Sequence, residues 1–308
     1  MYKRNIQLAI NYSKIFFTLF LVLSFSTINA QEEQASETKD YVSKTFYATS
    51  LINTQTTEAI PLGQLKFTIK HRFGMADLNE DFLKDFFGMD ASANIRFGFQ
   101  VPLTPRLYVG IGRTKFKKQY DFEIKYALLK QTTNNSTPLN LSLYANLSIS
   151  SDDFPEKLDN FDYFHQDSAT AFNYNFNHRL AYNYQLILSR KFFPWFSTQI
   201  APQITYRNLV DVGKENMTVA LPMGFRFKVA FFSSIQFEYV PVFNTEDDQA
   251  YPWSIGYEVG TAGHSFQFFM SNSSYIMNQY QNPGSTTKLS DGQFYFGFNI
   301  HRYLWLNN

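Results

Sequence analysis

The chain has 308 residues, of which 19% are aromatic, only 17% are charged and none is cysteine. So many aromatic rings exclude a disordered chain, and a formal net charge of +1 argues against a nucleic-acid-binding protein. Without cysteine the sequence has no disulfide framework, no thiolate metal site and no cysteine nucleophile.

The first 30 residues have the three-part pattern of a secretory signal peptide. Residues 1–14 carry basic but no acidic residues, residues 15–25 (IFFTLFLVLSF) are apolar, and the small Ala30 precedes Gln31. The apolar run is shorter than the roughly 20 residues that a membrane-spanning helix needs. Cleavage after Ala30 predicts an exported protein whose mature chain keeps 24 basic and 26 acidic residues, a net charge of −2.

Residues 31–62 lie between this signal and the first predicted strand. Residues 31–39 are acidic, and we expect them to be disordered. For residues 45–61 three roles are open: the segment could plug a barrel, add a strand to it, or serve as a linker.

From residue 63 onward, apolar and polar residues alternate, which is the pattern of strands with two different faces. Leu65, Phe67 and Ile69, for example, alternate with polar residues. Twelve strands are predicted: Gly63–Phe73, Ala93–Val101, Leu107–Lys117, Tyr120–Lys130, Leu139–Ser150, Phe176–Arg190, Phe196–Leu209, Met217–Val229, Ile235–Phe243, Trp253–Thr261, Ser265–Tyr275 and Gln293–His301.

The length of these strands indicates a membrane barrel. Most have 9–15 residues, whereas strands in soluble sheets average about 5–6 and a tilted strand needs about 9–11 to cross a bilayer. The links alternate between short turns and mostly longer loops, which is typical of outer-membrane barrels with an even strand count. We therefore expect an all-β fold: a closed antiparallel up-and-down transmembrane β-barrel of about 12 strands over residues 63–308, with 10 or 14 strands as alternatives.

The polar phase of the strands predicts which side chains line the interior. The charged candidates are Lys66, Lys70, Arg72, Arg96, Asp121, Glu123, Lys125, Arg179, Arg207, Arg226, Lys228, Glu238 and Glu258. Because basic residues outnumber acidic ones here, we expect a narrow channel for small polar or anionic solutes. The alternative is a closed barrel filled by ion pairs and hydrogen bonds, since a twelve-stranded bore lies between filled eight-stranded barrels and open porins.

A candidate gate follows the first strand. In Asp77–Phe87 (DLNEDFLKDFF), the apolar residues Leu78, Phe82 and Phe86 recur every four residues with acids between them. This spacing predicts one face of a short amphipathic helix, which either folds into the mouth of the barrel or lies on the lipid headgroups.

Several stretches resemble a Bacteroidota family of exported β-barrel proteins whose domain has no assigned function. They are residues 44–58 (KTFYATSLINTQTTE), 65–74, 93–99, 109–131, 261–273 and 290–302 (SDGQFYFGFNIHR). The resemblance implies a barrel in the outer membrane of a Gram-negative bacterium and supplies no catalytic or ligand residues. Because residues 44–58 take part in it, a plug is the favoured role for that segment. Asp167-Ser168-Ala169 is similar to a short O-glycosylation acceptor motif of this bacterial group, which makes Ser168 a candidate modification site.

Two further functions are weighed against the channel. A structural or docking barrel could present its loops, since residues 151–175 form a long aromatic-rich link. A lipid hydrolase would need a serine beside His71 or His178, and the sequence places none there.

We therefore expect no catalytic residue, no cofactor and no metal, since the histidines lack the paired spacing of zinc sites. The expected partners are outer-membrane lipid, the barrel-assembly machinery and small solutes but no nucleic acid, with both termini in the periplasm.

Overall fold

The segments in which apolar and polar residues alternate form strands, and these strands make an antiparallel ring. The computed structural model describes residues 40–79, 83–154, 174–211, 214–244, 249–285 and 287–306. Its strands are β1 (Gln64–Asp77), β2 (Asn94–Pro102), β3 (Leu107–Thr114), β4 (Gln119–Leu129), β5 (Asn140–Ser150), β6 (Leu180–Phe193), β7 (Phe196–Ile200), β8 (Gln203–Arg207), β9 (Met217–Ala220), β10 (Met223–Lys228), β11 (Ser233–Tyr239), β12 (Trp253–Gly260), β13 (His264–Ser271) and β14 (Gln293–Trp305).

Each strand pairs with its neighbours in the chain, and the last strand closes the ring. β14 pairs with β1 from Gln64↔Trp305 to Asp77↔Gln293, and β5 pairs with β6. All pairings are antiparallel. β7 and β8 are two parts of one barrel strand, and β9 and β10 are two parts of the next. This follows because β7 pairs with β10, and β8 with β9, in one continuous register. The predicted closed up-and-down barrel of twelve strands is confirmed.

Prolines explain why two barrel strands are interrupted. Pro202 separates β7 from β8 and Pro222 separates β9 from β10. A proline has no N–H to give to the ladder, so one of two cross-strand hydrogen bonds is lost at its position. The partner bond remains: the Leu186 N–H donates to the Pro202 carbonyl and the Ala201 N–H to the Pro222 carbonyl, at 3.0 and 2.8 Å.

The barrel has polar residues inside and apolar residues outside. In β4, Asp121, Glu123 and Lys125 are buried, whereas the alternating residues Tyr120 and Phe122 are 52% and 50% exposed. The same alternation runs through the other long strands. This is the reverse of a soluble protein, where apolar side chains leave the surface. An apolar exterior over a closed ladder is stable in hydrocarbon, because no backbone edge is left unpaired.

Helices are few and short in the described residues. α1 (Asn278–Gln281) has four residues, and 3-10 turns occupy Phe116–Lys118, Phe176–Arg179 and Leu289–Asp291. None of the helices in the described part of the chain is long and apolar enough to cross a membrane.

The structure shifts several of the predicted strand boundaries, for example β11 to Ser233–Tyr239 and the end of β14 to Trp305. Phe176–Arg179 is a 3-10 turn, because the side chains of Asn175 and His178 form a capping box there. β3 ends at Thr114, where the 3-10 turn takes over, and β13 ends at Ser271. Tyr41–Asn308 form one compact unit.

The phase of the strands can be tested at Phe268, which is 60% exposed in the middle of β13. We expect Phe268→Arg to destabilise the barrel in lipid vesicles by about 2–4 kcal/mol, the usual cost of arginine on a lipid-facing wall near the bilayer midplane. Urea titration of the folded barrel measures the change. Phe268→Leu is the control and should cost less than about 1.5 kcal/mol. An equally stable arginine variant would contradict the assignment of this face.

Candidate functional site

The charged residues predicted for the interior are mostly buried within the barrel. Ten of the thirteen charged candidates are at most 6% exposed. They are Lys66, Lys70, Arg72, Arg96, Asp121, Glu123, Lys125, Arg226, Glu238 and Glu258. They come from β1, β2, β4, β10, β11 and β12, so the charge is spread around the ring.

Three predicted lining residues lie at the ends of strands and are only half-buried. Arg179 belongs to the 3-10 turn before β6, and its guanidinium donates to the Ser150 and Asp152 carbonyls at 3.2 and 2.5 Å. Arg207 is the last residue of β8, with its guanidinium 5.7 Å from the Tyr280 ring. Lys228 is the last residue of β10. Period two predicts the face of a residue, but not where its strand ends.

Two arginines of the wall are neutralised by wall carboxylates. The Arg96 guanidinium donates to both carboxylate oxygens of Asp121, at 2.6 and 2.9 Å, and lies 3.8 Å from Glu123. Arg226 lies 3.8 Å from Glu258. Buried ion pairs need such hydrogen bonds to offset their desolvation, and Glu258 also accepts from Gln236 and Ser265 at 2.6 and 2.7 Å.

The N-terminal segment Thr45–Ile60, called the inner segment below, is packed against this charged wall. Phe46, Leu51, Ile52 and Ile60 are each at most 1% exposed. The segment turns back on itself: the Leu51 N–H donates to the Thr54 carbonyl and the Thr56 N–H to the Thr49 carbonyl, both at 2.9 Å. It is therefore a hairpin with its own internal hydrogen bonds, enclosed by the strands.

The tip of the inner segment is held by two charged side chains and one amide, from three strands. Glu238 of β11 accepts from the backbone N–H groups of Asn53 and Thr54, at 3.0 and 2.9 Å. The Ile52 carbonyl accepts from Lys70 of β1 at 3.3 Å and from Asn299 of β14 at 2.9 Å. The tip thus offers donors to a carboxylate and an acceptor to an ammonium group.

The flanks of the inner segment are held in the same way. Lys125 donates to the carbonyls of Thr49 and Thr56 at 3.1 and 2.7 Å, and Lys66 donates to the Thr49 hydroxyl. From the opposite wall, the Gln199 amide donates to the Gln55 carbonyl at 2.9 Å. These lysines bond to the inner segment rather than to wall carboxylates. Removal of the segment would therefore expose their ammonium groups to water.

Two glycines of the wall make room for apolar side chains of the inner segment. A Cβ added at Gly224 of β10 would overlap Cδ1 of Leu51, and one added at Gly260 of β12 would lie 2.9 Å from the Tyr47 ring. Any side chain at these positions would need the space that the segment occupies.

The link after β13 also packs inside the barrel. Ile276, Met277, Asn278 and Gln279 are buried, the Asn278 amide donates to Gln203 at 3.1 Å, and the Gln279 amide donates to Asn146 at 2.7 Å. Burial raises the pKa of Tyr280 in α1 to about 12, so its hydroxyl stays protonated at neutral pH. No pattern in the sequence singles out this link, which is polar and nearly uncharged.

A small polar cavity lies between the inner segment and α1. Its wall includes Asn53, Lys70, Arg96, Asn183, Gln185 and Gln279. A water-sized sphere can place its centre in a volume of about 30 Å³, which is room for a few water molecules. Both amide atoms of Gln185 and Oδ1 of Asn183 have no hydrogen-bond partner in the protein, as expected for groups that water would satisfy.

The residues of the predicted gate after the first strand are not buried in the interior where they are described. Leu78 and Phe86 are each 55% exposed, residues 83–89 form turns rather than a helix, and Phe82 lies outside the described residues. The predicted signal peptide and Ser168 also lie outside them.

The two histidines weighed for a hydrolase have other contacts. His71 stacks on Phe298 at 5.0 Å, and its Nδ1 has no hydrogen-bond partner. Nδ1 of His178 accepts from the Asn175 N–H at 3.0 Å. Among the described residues, no three acidic or histidine side chains are placed to hold a metal ion.

A closed barrel with a charged interior and an aromatic exterior defines a membrane-spanning β-barrel protein. The chain belongs to the family described as "Membrane bound beta barrel domain (DUF5777)", whose model matches residues 46–304. The match begins inside the inner segment, so that segment is part of the family's domain. No curated protein matches the chain.

Similar solved structures are also membrane barrels. The NanC porin has a TM-score of 0.47 and 8% identity, covering 78% of this chain and 100% of its own. An outer membrane channel of Pseudomonas putida F1 has a TM-score of 0.45 and 11% identity, covering 80% and 98%. An active-site mutant of the outer membrane phospholipase A from Escherichia coli has a TM-score of 0.41 and 10% identity, covering 88% and 94%. Likenesses this distant say nothing about activity.

The fit between Gly224 and Leu51 can be tested with a unique thiol, because the chain has no cysteine. Ala48→Cys places it in the inner segment at a position 1% exposed. We expect a water-soluble thiol reagent to label it slowly in the parent and at least about tenfold faster in Gly224→Val, since valine and Leu51 cannot share the space. Adding Leu51→Ala to Gly224→Val should restore protection. Equal labelling of the parent and Gly224→Val would contradict this packing.

Proposed function

We propose that the protein is an outer-membrane channel for small polar, preferentially anionic solutes, and that its inner segment closes the channel in the state described. The observation that carries the proposal is the way in which the wall holds this segment. The tip and flanks are bound through hydrogen bonds to Glu238, Lys70 and Lys125, groups that water can also satisfy.

The polarity of the wall supports a water-filled passage once the segment leaves. A barrel that only needed filling could do so with apolar side chains, as soluble cores do. This wall instead keeps lysines and unpartnered amides, such as Gln185, toward the interior. Removing the inner segment would expose those groups to water at little cost, whereas apolar wall residues would resist hydration.

The charge of the wall supports a preference for anions. Of the buried wall residues, Arg96 is matched by Asp121 and Glu123, and Arg226 by Glu258. The remaining wall charges are Lys66, Lys70, Arg72 and Lys125 against Glu238. A low-dielectric wall focuses this positive field along the passage.

The outer membrane and periplasmic termini are part of the same proposal. They are supported by the signal-peptide pattern of residues 1–30, by the even number of strands and by the family of membrane-bound barrels. Insertion would then depend on the barrel-assembly machinery.

A closed barrel that only docks partners is the second candidate. It is favoured by the narrow space, about 30 Å³ for the centres of water-sized spheres, that the inner segment and α1 leave. The two candidates differ in one respect: a docking barrel has no state in which the inner segment leaves.

A reversible lock tests the proposal. Thr57 Oγ1 of the inner segment lies 2.5 Å from Ser189 Oγ of β6, close enough for cysteines at both positions to form a disulfide. We expect Thr57→Cys with Ser189→Cys to carry no current across a planar bilayer when oxidised and to open intermittently when reduced. Thr57→Cys alone is the matched control and should not respond to oxidation. A chain lacking residues 41–61 should conduct continuously. Silence of that chain and of the reduced pair would establish the closed docking barrel instead.

The selectivity of the open barrel tests the charge argument. In the chain lacking residues 41–61, we expect the current in a salt gradient to be carried mainly by anions. Lys66→Glu with Lys125→Glu changes the wall by four charges and should reverse the sign of the zero-current potential. Lys115→Glu with Lys288→Glu alters two exposed lysines by the same amount and should leave the sign unchanged. Cation preference before any substitution would count against a basic passage.

A further inference from the structure

One sector of the interior wall carries amide and hydroxyl groups in place of charges. None of the buried residues in β5, β6, β7, β8 and β9 is charged, and the structure describes all five strands in full. The charged residues of these strands, Arg190, Lys191 and Arg207, are half-buried and lie at or near the strand ends. A solute that meets this sector therefore finds hydrogen-bonding groups without a net charge.

Part of this sector lines the small cavity beside α1, where several polar atoms lack a partner in the protein. Asn183 and Gln185 of β6 are 2% and 3% exposed, and Oδ1 of Asn183 and both amide atoms of Gln185 are unpartnered. Oε1 of the buried Gln279 in α1 is unpartnered too. All three residues line the cavity. Because both ends of the Gln185 amide are unpartnered, it offers a donor and an acceptor whichever way it is turned.

Lys70 of β1 brings a positive charge to the same cavity. Its ammonium donates to a carbonyl at the tip of the inner segment at 3.3 Å, and no carboxylate of the described residues forms an ion pair with it. The other charged residues that line the cavity, Arg96 and Glu123, lie 3.8 Å apart and offset each other. Lys66 and Arg72 flank Lys70 on the buried face of β1, so positive charge is in excess there.

We propose that this cavity, enlarged when the tip of the inner segment moves away, is the binding site for a small organic anion that carries hydroxyl groups. Lys70 would bind the anionic group, and the amides of Asn183, Gln185 and Gln279 would bind the hydroxyls. The inference rests on the proposed function, in which the inner segment leaves before a solute enters. It adds the chemical class of that solute.

The unpartnered oxygens disfavour an anion without donors. An amide oxygen can only accept, so chloride or a simple carboxylate would leave those of Asn183 and Gln185 buried without a partner, which is costly. A hydroxyl both donates and accepts, so it suits either end of an amide. An ammonium donor would be repelled by Lys70 and Arg96. A hydroxylated anion therefore satisfies both the amides and the cation of the cavity.

The size of the cavity sets when such a solute can bind. In the closed state there is room for a few water molecules. Asn53 at the tip of the inner segment forms part of the cavity wall, so departure of the tip joins the cavity to the space that the segment occupied. The closed fraction of the protein lowers the apparent affinity of every such solute by the same factor, so ratios of affinities report on the site itself.

Binding of three small solutes to the full mature chain tests the inference. Glycerate has a carboxylate and two hydroxyls, propionate has the carboxylate alone, and glycerol has hydroxyls alone. Saturation-transfer NMR titrations in detergent micelles measure their relative affinities. We expect glycerate to bind at least about tenfold more tightly than propionate, because each hydrogen bond contributes about fivefold to affinity. Glycerol lacks the charge and should bind at least about fivefold more weakly than glycerate.

Two glutamine variants locate the site. Gln185→Met removes an amide of the cavity and should reduce the preference for glycerate over propionate about fivefold. Gln119→Met is the matched control, because Gln119 of β4 is 0% exposed and has both amide atoms unpartnered but does not line the cavity. This control should keep the full preference. Asn183→Leu removes the neighbouring amide and serves if Gln185→Met does not fold. Lys70→Met should reduce the preference for glycerate over glycerol about fivefold.

Current through the same protein in a planar bilayer separates this inference from the proposed channel. Equal binding of glycerate and propionate, glycerol binding as tight as that of glycerate, or a loss of preference in Gln119→Met as large as in Gln185→Met would each overturn the site, even in a barrel that conducts. A preference for glycerate in a barrel that never conducts would support the site and refute the channel. Absence of both binding and current would refute both.

Discussion

The need to satisfy buried charge inside an apolar wall governs the arrangement of this barrel. Lys70, Lys125 and Glu238 point into an interior that is shielded from bulk water, where an unpaired charge is costly. The wall supplies carboxylates to Arg96 and Arg226, but the backbone of the inner segment supplies the partners of the other three groups. The segment and the wall are therefore complementary in hydrogen bonding as well as in shape.

This complementarity is also why the bound state can be reversible. A carbonyl that accepts from Lys125 and an N–H that donates to Glu238 can be exchanged for water without leaving either side unsatisfied. Apolar contacts, such as Leu51 over Gly224, favour the bound state because they have no counterpart in a hydrated lumen. In the proposed channel, the balance between these two kinds of contact would set how often the segment leaves.

The sequence predicts the barrel well because its dominant signal is local. Alternation in β4 assigns Asp121, Glu123 and Lys125 to one face without any knowledge of their partners, and the structure buries all three. The inner segment and α1 are not predictable in this way. Gly224 lies more than 170 residues from Leu51, and nothing near Asn278 indicates that it meets Gln203. Contacts of this kind arise only when the ring closes.

The tip of the inner segment and α1 are bound by different strands of the wall. The tip of the inner segment is bound by β1, β11 and β14, and β1 pairs with β14 over twelve positions. α1 is bound by Gln203 of β8, which follows Pro202, and by Asn146 of β5. The hydrogen bonds that hold the tip of the inner segment therefore involve none of the strands that hold α1. Release of the tip would break no hydrogen bond between α1 and the wall.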